Sequence, residues 1–104
     1  MVSLRIIAIS DKGISAIQEY YHQMTNPRIK TRLLARTLKK TIPYKYLNST
    51  YEDIDLNNNI IICSVNPDFI KYADNLLLVS KQVYAKQFIK YGAKEDDFVF
   101  EVVE

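Results

Sequence analysis

Three short apolar runs stand out between polar punctuation: Leu4 to Ile9, Ile60 to Val65 and Leu76 to Val79. The middle one, Ile60-Ile61-Ile62-Cys63-Ser64-Val65, is fenced by Asn57-Asn58-Asn59 before it and Asn66-Pro67 after it. An unbroken β-branched run between turn residues predicts a central strand buried on both faces. Leu4 to Ile9 predicts a first strand and Leu76 to Val79 a third. Phe98 to Val103 closes the chain as a fourth, with Phe98, Phe100 and Val102 facing one way and Glu101 and Glu104 marking it as an edge.

Period-3.6 patterns lie between these runs. Ser10-Asp11 offers N-cap oxygens for a helix from about Lys12 to Met24, with Ile14, Ile17, Tyr20, Tyr21 and Met24 on one side and Ser15, Glu19 and His22 opposite. Pro27 suits the first position of a second helix that stops before Pro43. On it Leu34, Ala35, Leu38 and Ile42 form one arc, and Arg28, Arg32, Arg36, Lys39 and Lys40 form another of about 120°. Tyr44 to Asn59 reads as irregular, with a short helix around Tyr51 to Leu56 as the structured option. After a turn at Asn66-Pro67-Asp68 and the Leu76 run, Ser80 caps a helix from Lys81 to Tyr91. It buries Val83, Tyr84, Phe88 and Tyr91, and Gly92 stops it.

The order β-α-α-β-(α)-β-α-β predicts a single α/β layered domain over residues 1–104. Its four-stranded sheet would be mainly parallel, with the last strand free to run antiparallel. A ferredoxin-like α+β arrangement is the alternative.

Composition narrows the function. Two glycines in 104 residues exclude the glycine-rich phosphate loops of dinucleotide-binding and P-loop proteins. No apolar run reaches the roughly 20 residues of a membrane-spanning helix. No charged leader followed by a long apolar stretch opens the chain, which predicts no signal peptide. The single cysteine, Cys63, fits a reducing, cytoplasmic setting or simply a fold that needs no disulfide, and reads as a small buried hydrophobe. With one histidine and one cysteine, no metal site or cofactor is expected. Cys63 with His22 makes a poor nucleophile–base pair, because a strand residue would have to meet the polar face of a helix. Asp53 with Asp55, and Asp96 with Asp97, read as loop residues. No catalytic residue emerges, and the chain reads as a binding protein rather than an enzyme.

The net charge of +2 conceals a strong asymmetry. Residues 1–19 balance, residues 20–51 carry seven basic side chains and no acidic one, and residues 52–104 carry five lysines against ten acids, a net of −5. The leading expectation is a small nucleic-acid-associated protein. Arg28, Lys30, Arg32, Arg36, Lys39, Lys40 and Lys45 would track phosphates, and Tyr44, Tyr46 and Tyr51 would stack on unpaired bases. A second expectation places a nucleotide or phosphorylated small molecule, with hydrolysis as an extension, at the carboxyl ends of parallel strands. Ser10, Asp11, Lys12, Ser64, Asn66, Ser80 and Lys81 would converge there. A third is a homodimeric interaction module in which basic helix meets acidic half, consistent with eight tyrosines and four phenylalanines.

Overall fold

The computed structural model describes residues 2–23 and 51–104, with only the backbone described at Tyr51 and Phe69. The elements are β1 (Val2–Ala8), α1 (Asp11–Gln23), β2 (Tyr51–Asp55), β3 (Ile60–Val65), α2 (Ala73–Lys90) and β4 (Phe98–Val103). Short 3-10 turns at Pro67–Tyr72 and Glu95–Asp97 precede α2 and β4. The strands form one four-stranded sheet in the order β2-β3-β1-β4. Every neighbouring pair is antiparallel.

The mainly parallel sheet is therefore corrected, and the connectivity fits the ferredoxin-like α+β alternative. Alternating strands and helices do imply crossovers, but here each crossover skips a position. β1 and β2 run the same way with β3 between them, and β3 and β4 run the same way with β1 between them. The intervening strand makes every adjacent pair antiparallel, which is the split βαβ arrangement.

Strand alternation sorts the core. Val2, Leu4 and Ile6 of β1, Ile61, Cys63 and Val65 of β3, and Phe98 of β4 are buried in one cluster with Ala16, Ile17 and Tyr20 of α1 and Leu76, Val83, Tyr84 and Phe88 of α2. Both described helices thus cover the same face of the sheet. β3 is the interior strand its sequence predicts, but its faces differ: Ile60 and Ile62, pointing the other way, are only half-buried.

Two further predictions are corrected. Leu76 to Val79 is not a strand; it belongs to α2, where Leu76, Val79, Ser80, Val83, Tyr84 and Phe88 lie on the buried side at helical spacing. Leu78, between them, is 58% exposed. A short apolar run fits either period, and here the arc predicted for Val83 to Phe88 continues backward through it. Ser80 accordingly caps nothing: its hydroxyl donates to the Leu77 carbonyl at 2.9 Å inside the helix. Tyr51 to Asp55 is likewise a strand, neither loop nor helix, so Asp53 and Asp55 are strand residues, and Asp96 and Asp97 belong to a 3-10 turn.

Local chemistry explains the remaining boundaries. The Ser10 hydroxyl oxygen accepts the Gly13 N–H at 3.1 Å, capping α1 as predicted. Gly13 lies so close to the Glu95–Asp97 turn that a Cβ there would meet the Asp97 carbonyl oxygen at 2.6 Å. In the β2–β3 turn, Asp55 accepts the Asn57 and Asn58 N–H groups, and Asn59 adopts φ +56°. Gly92, at φ +84°, ends α2: its N–H donates to the Ile89 carbonyl and the Ala93 N–H to Phe88. This is a Schellman cap.

Candidate functional site

The predicted basic set, Arg28, Lys30, Arg32, Arg36, Lys39, Lys40, Tyr44, Lys45 and Tyr46, lies outside the described residues, as does the helix predicted for Pro27 to Thr41.

The predicted ligand rim does not assemble, because its premise was a parallel sheet. Ser10 follows β1 at the end of the sheet where Ala8 pairs with Phe98, whereas Ser64 pairs with Ser3 near the other end. Five residues of strand separate these positions, about 17 Å. Asn66 stays with Ser64, its side chain accepting the Asp68 N–H at 2.9 Å. Ser80 is fully buried inside α2. Asp11, in the first turn of α1, is exposed.

Ser10, Lys12 and Lys81 do gather, but around carboxylates. The Ser10 hydroxyl donates to Asp97 Oδ1 at 2.6 Å, Lys94 N–H donates to Asp97 Oδ2 at 2.8 Å, and Lys81 Nζ lies 3.7 Å from Glu95 Oε1. The Ser10 bond, then the Lys94 N–H and the nearby Lys12 and Lys94 charges, hold the Asp97 carboxyl below the usual carboxylate range. With its oxygen also accepting from Gly13, Ser10 is fully engaged, and the group functions as a corner joint between β1, α1 and β4.

A second polar cluster, absent from the sequence expectations, lies between the sheet and both helices. Glu52 alternates with Asp53 along β2 and so points to the same face as Ile54, toward the helices. The Tyr20 hydroxyl of α1 meets its two oxygens at 3.0 and 2.9 Å, and the Tyr84 hydroxyl of α2 donates to Oε2 at 2.5 Å. Cys63, directly opposite Glu52 on β3, places Sγ 3.3 Å from the Tyr84 oxygen. Since the Tyr84 proton goes to the carboxylate, the thiol is the donor in that contact. One edge-strand carboxylate thereby ties together α1, α2 and β3.

Burial, reinforced by the Glu52 charge, pushes the Cys63 thiol up to about 12. Burial also raises both phenols well above the ordinary tyrosine range, followed by the Glu52 charge for Tyr20 and by Cys63 and then Glu52 for Tyr84. All three donors stay protonated at neutral pH, so the cluster offers neither thiolate nor phenolate and functions as an internal clamp. Its signal was present in the sequence. Tyr20 and Tyr84 both fall on predicted buried arcs, and a buried phenol needs an acceptor. His22, as predicted, is exposed on α1.

The sheet face away from the helices presents three rows. One reads Asp55, Ile60, Ile7, Val99 across the four strands, and another Asp53, Ile62, Arg5, Glu101. The third, Ser64, Ser3 and Val103 with Tyr51 at the β2 position, carries no charge. Arg5 and Glu101 approach at 4.0 Å, both about half exposed. A depression of about 250 Å³ beside the start of α2 is lined only by the consecutive residues Ile70 to Asn75, so no groups from separate elements converge in it.

Among the described residues no group of three or more histidine, cysteine or acidic side chains could hold a metal ion, and no helix is long and apolar enough to cross a membrane. Comparison of the chain with protein-family models, curated proteins and solved structures finds no match.

Proposed function

We propose that the protein is a non-enzymatic binding domain whose partner is nucleic acid, engaged through the basic segment containing Arg28, Lys30, Arg32, Arg36, Lys39, Lys40 and Lys45. The observation that carries this reading is charge segregation. Residues 24–50 hold seven basic side chains and no acid, whereas residues 51–104 hold five lysines against ten acids. A polyanion is attracted to the first region and repelled by the second. The face of the sheet away from the helices supports the same assignment, since its charged positions set Asp53, Asp55 and Glu101 against Arg5 alone. Phosphates would therefore approach by the basic segment, with Tyr44 and Tyr46 available to stack on unpaired bases.

Fluorescence-anisotropy titrations with short single- and double-stranded DNA and RNA, at low and physiological salt, test this reading. Engagement of all seven cations implies a log–log salt slope approaching about −6 on duplex DNA. Replacing Arg28, Arg32 and Arg36 together by alanine removes binding, and affinity unchanged by that triple replacement refutes the proposal. The small-ligand reading is weaker. The part of its rim that stays together, Ser10, Lys12 and Lys81, faces Glu95 and Asp97, which repel an anion.

A further inference from the structure

We propose that β4 is a self-association edge, and that two copies of the chain pair through it antiparallel about a two-fold axis at Phe100, joining their sheets into one. This goes beyond the nucleic-acid reading and uses none of its residues.

Backbone direction is the first support. Ile9 N–H donates to the Asp97 carbonyl at 2.9 Å, and Ala8 N–H donates to Asn59 on the other side of β1 at 3.1 Å. With the strand period of two, Val99, Glu101 and Val103 bond toward β1, and Phe98, Phe100 and Val102 direct their backbone groups away from it. Among the described residues, no strand lies on that side. The Phe98 N–H is satisfied by the Glu95 carbonyl. The outward groups left for pairing are the Phe98 carbonyl and both backbone groups of Phe100 and Val102.

Edge chemistry is the second. An exposed strand edge is usually blunted by charge, proline or a bulge. Phe98-Val99-Phe100-Glu101-Val102-Val103 has one charge and no proline, and Val99 is 41% exposed. The opposite edge, β2, carries Glu52, Asp53 and Asp55 in five residues.

Register selects the partner. A two-fold axis at Glu101 would set the two Glu101 side chains directly opposite each other, a destabilising like-charge pair. An axis at Phe100 sets Glu101 opposite the partner's Val99. Phe100 then exchanges both backbone bonds with the partner's Phe100, and each Val102 N–H reaches the partner's Phe98 carbonyl. The Phe98 N–H, already satisfied, needs no partner in this register. On the helix side, the Phe98–Phe100 contact, with ring centroids 6.4 Å apart, would continue across the axis.

Sedimentation equilibrium of the full chain, free of nucleic acid and across the micromolar range, tests the pairing. The wild type sediments as a dimer. Val99→Glu places carboxylates opposite each other at two equivalent positions and weakens the dimer about tenfold or more, with unchanged far-UV circular dichroism. Val99→Lys sets an amine opposite the partner's Glu101 and keeps the dimer. Val102→Pro deletes an outward N–H at a position an edge strand tolerates, and should also give monomers. A wild type monomeric at 100 μM (on the order of the upper test concentration), or a dimer indifferent to both Val99→Glu and Val102→Pro, overturns the proposal.

Discussion

Among the described residues, the two edges of the sheet solve the same problem in opposite ways. β2 has three carboxylates in five residues, and each has a different environment: Glu52 turns inward to two phenols, Asp53 faces out, and Asp55 holds the turn to β3. β4 has one carboxylate in six residues, Glu101, held loosely by Arg5 at 4.0 Å. An inward-pointing charge protects an edge against foreign strands, but only if the core supplies donors for it. Tyr20 and Tyr84 supply them, so β2 is both guarded and anchored. β4 is anchored at its start, through Asp97, and apart from Glu101 is apolar.

The largest expected effect separates these two anchors. Glu52→Ala leaves the Tyr20 and Tyr84 hydroxyls without their acceptor and should destabilise the fold by about 3 kcal/mol. Glu101→Ala, removing an exposed ion pair, should cost less than about 0.5 kcal/mol. Urea unfolding of the two variants tests the contrast, and equal losses would abolish it.

Gly13→Ala comes next, because it strikes the joint that fixes the start of β4. The added Cβ would stand 2.6 Å from the Asp97 carbonyl oxygen, a backbone atom that cannot rotate away. Overpacking of this kind costs up to about 3 kcal/mol. Alanine's helical advantage over glycine returns about 1 kcal/mol. A net loss of about 2 kcal/mol in thermal or urea unfolding is expected, and a stabilised variant would show that the corner is not tight.

The smallest effect is the dependence on pH, in which the two anchors fail at opposite ends of the scale. The Asp97 carboxyl is held below its ordinary value, so its contribution is present above the unfolded-state value, about 4, and is lost as pH falls through the folded one. Tyr20 and Tyr84 are raised, so their contribution is present below about 10 and is lost as pH rises beyond it. Thermal unfolding should show Asp97→Asn with a flatter acid limb and Tyr20→Phe with a flatter alkaline limb. Asp55, also lowered through its bonds to Asn58, adds an acid-sensitive contribution at the β2–β3 turn, so Asp97→Asn should flatten the acid limb only in part.

Much of the fold was legible because its signals are local. The Ser10 cap, the Gly92 stop, the outward alternation of β4 and the buried arc Val83–Tyr84–Phe88 follow from residues within a few positions of one another. The basic and acidic halves are legible for the same reason, being a matter of counting along the chain. Leu76 to Val79 misled because four apolar residues span little more than one helical turn, too short for either period to declare itself. Tyr51 to Asp55 misled because acidic residues disfavour strands, and this strand exists through its pairing with β3 and the phenols beneath Glu52.

The choice between a mainly parallel sheet and the ferredoxin-like alternative was beyond the sequence. Which strands become neighbours is decided by how α1 and α2 pack over one face of the sheet, with an antiparallel strand between each pair that runs the same way. That choice separated Ser10 from Ser64 and Asn66, and it brought Glu52, Tyr20, Tyr84 and Cys63 into contact from elements up to 64 residues apart in the chain (Tyr20 to Tyr84). Local periodicity therefore determined the strand and helix faces wherever a segment was long enough to show it. Only long-range packing, in which buried donors must find acceptors, decided the partners.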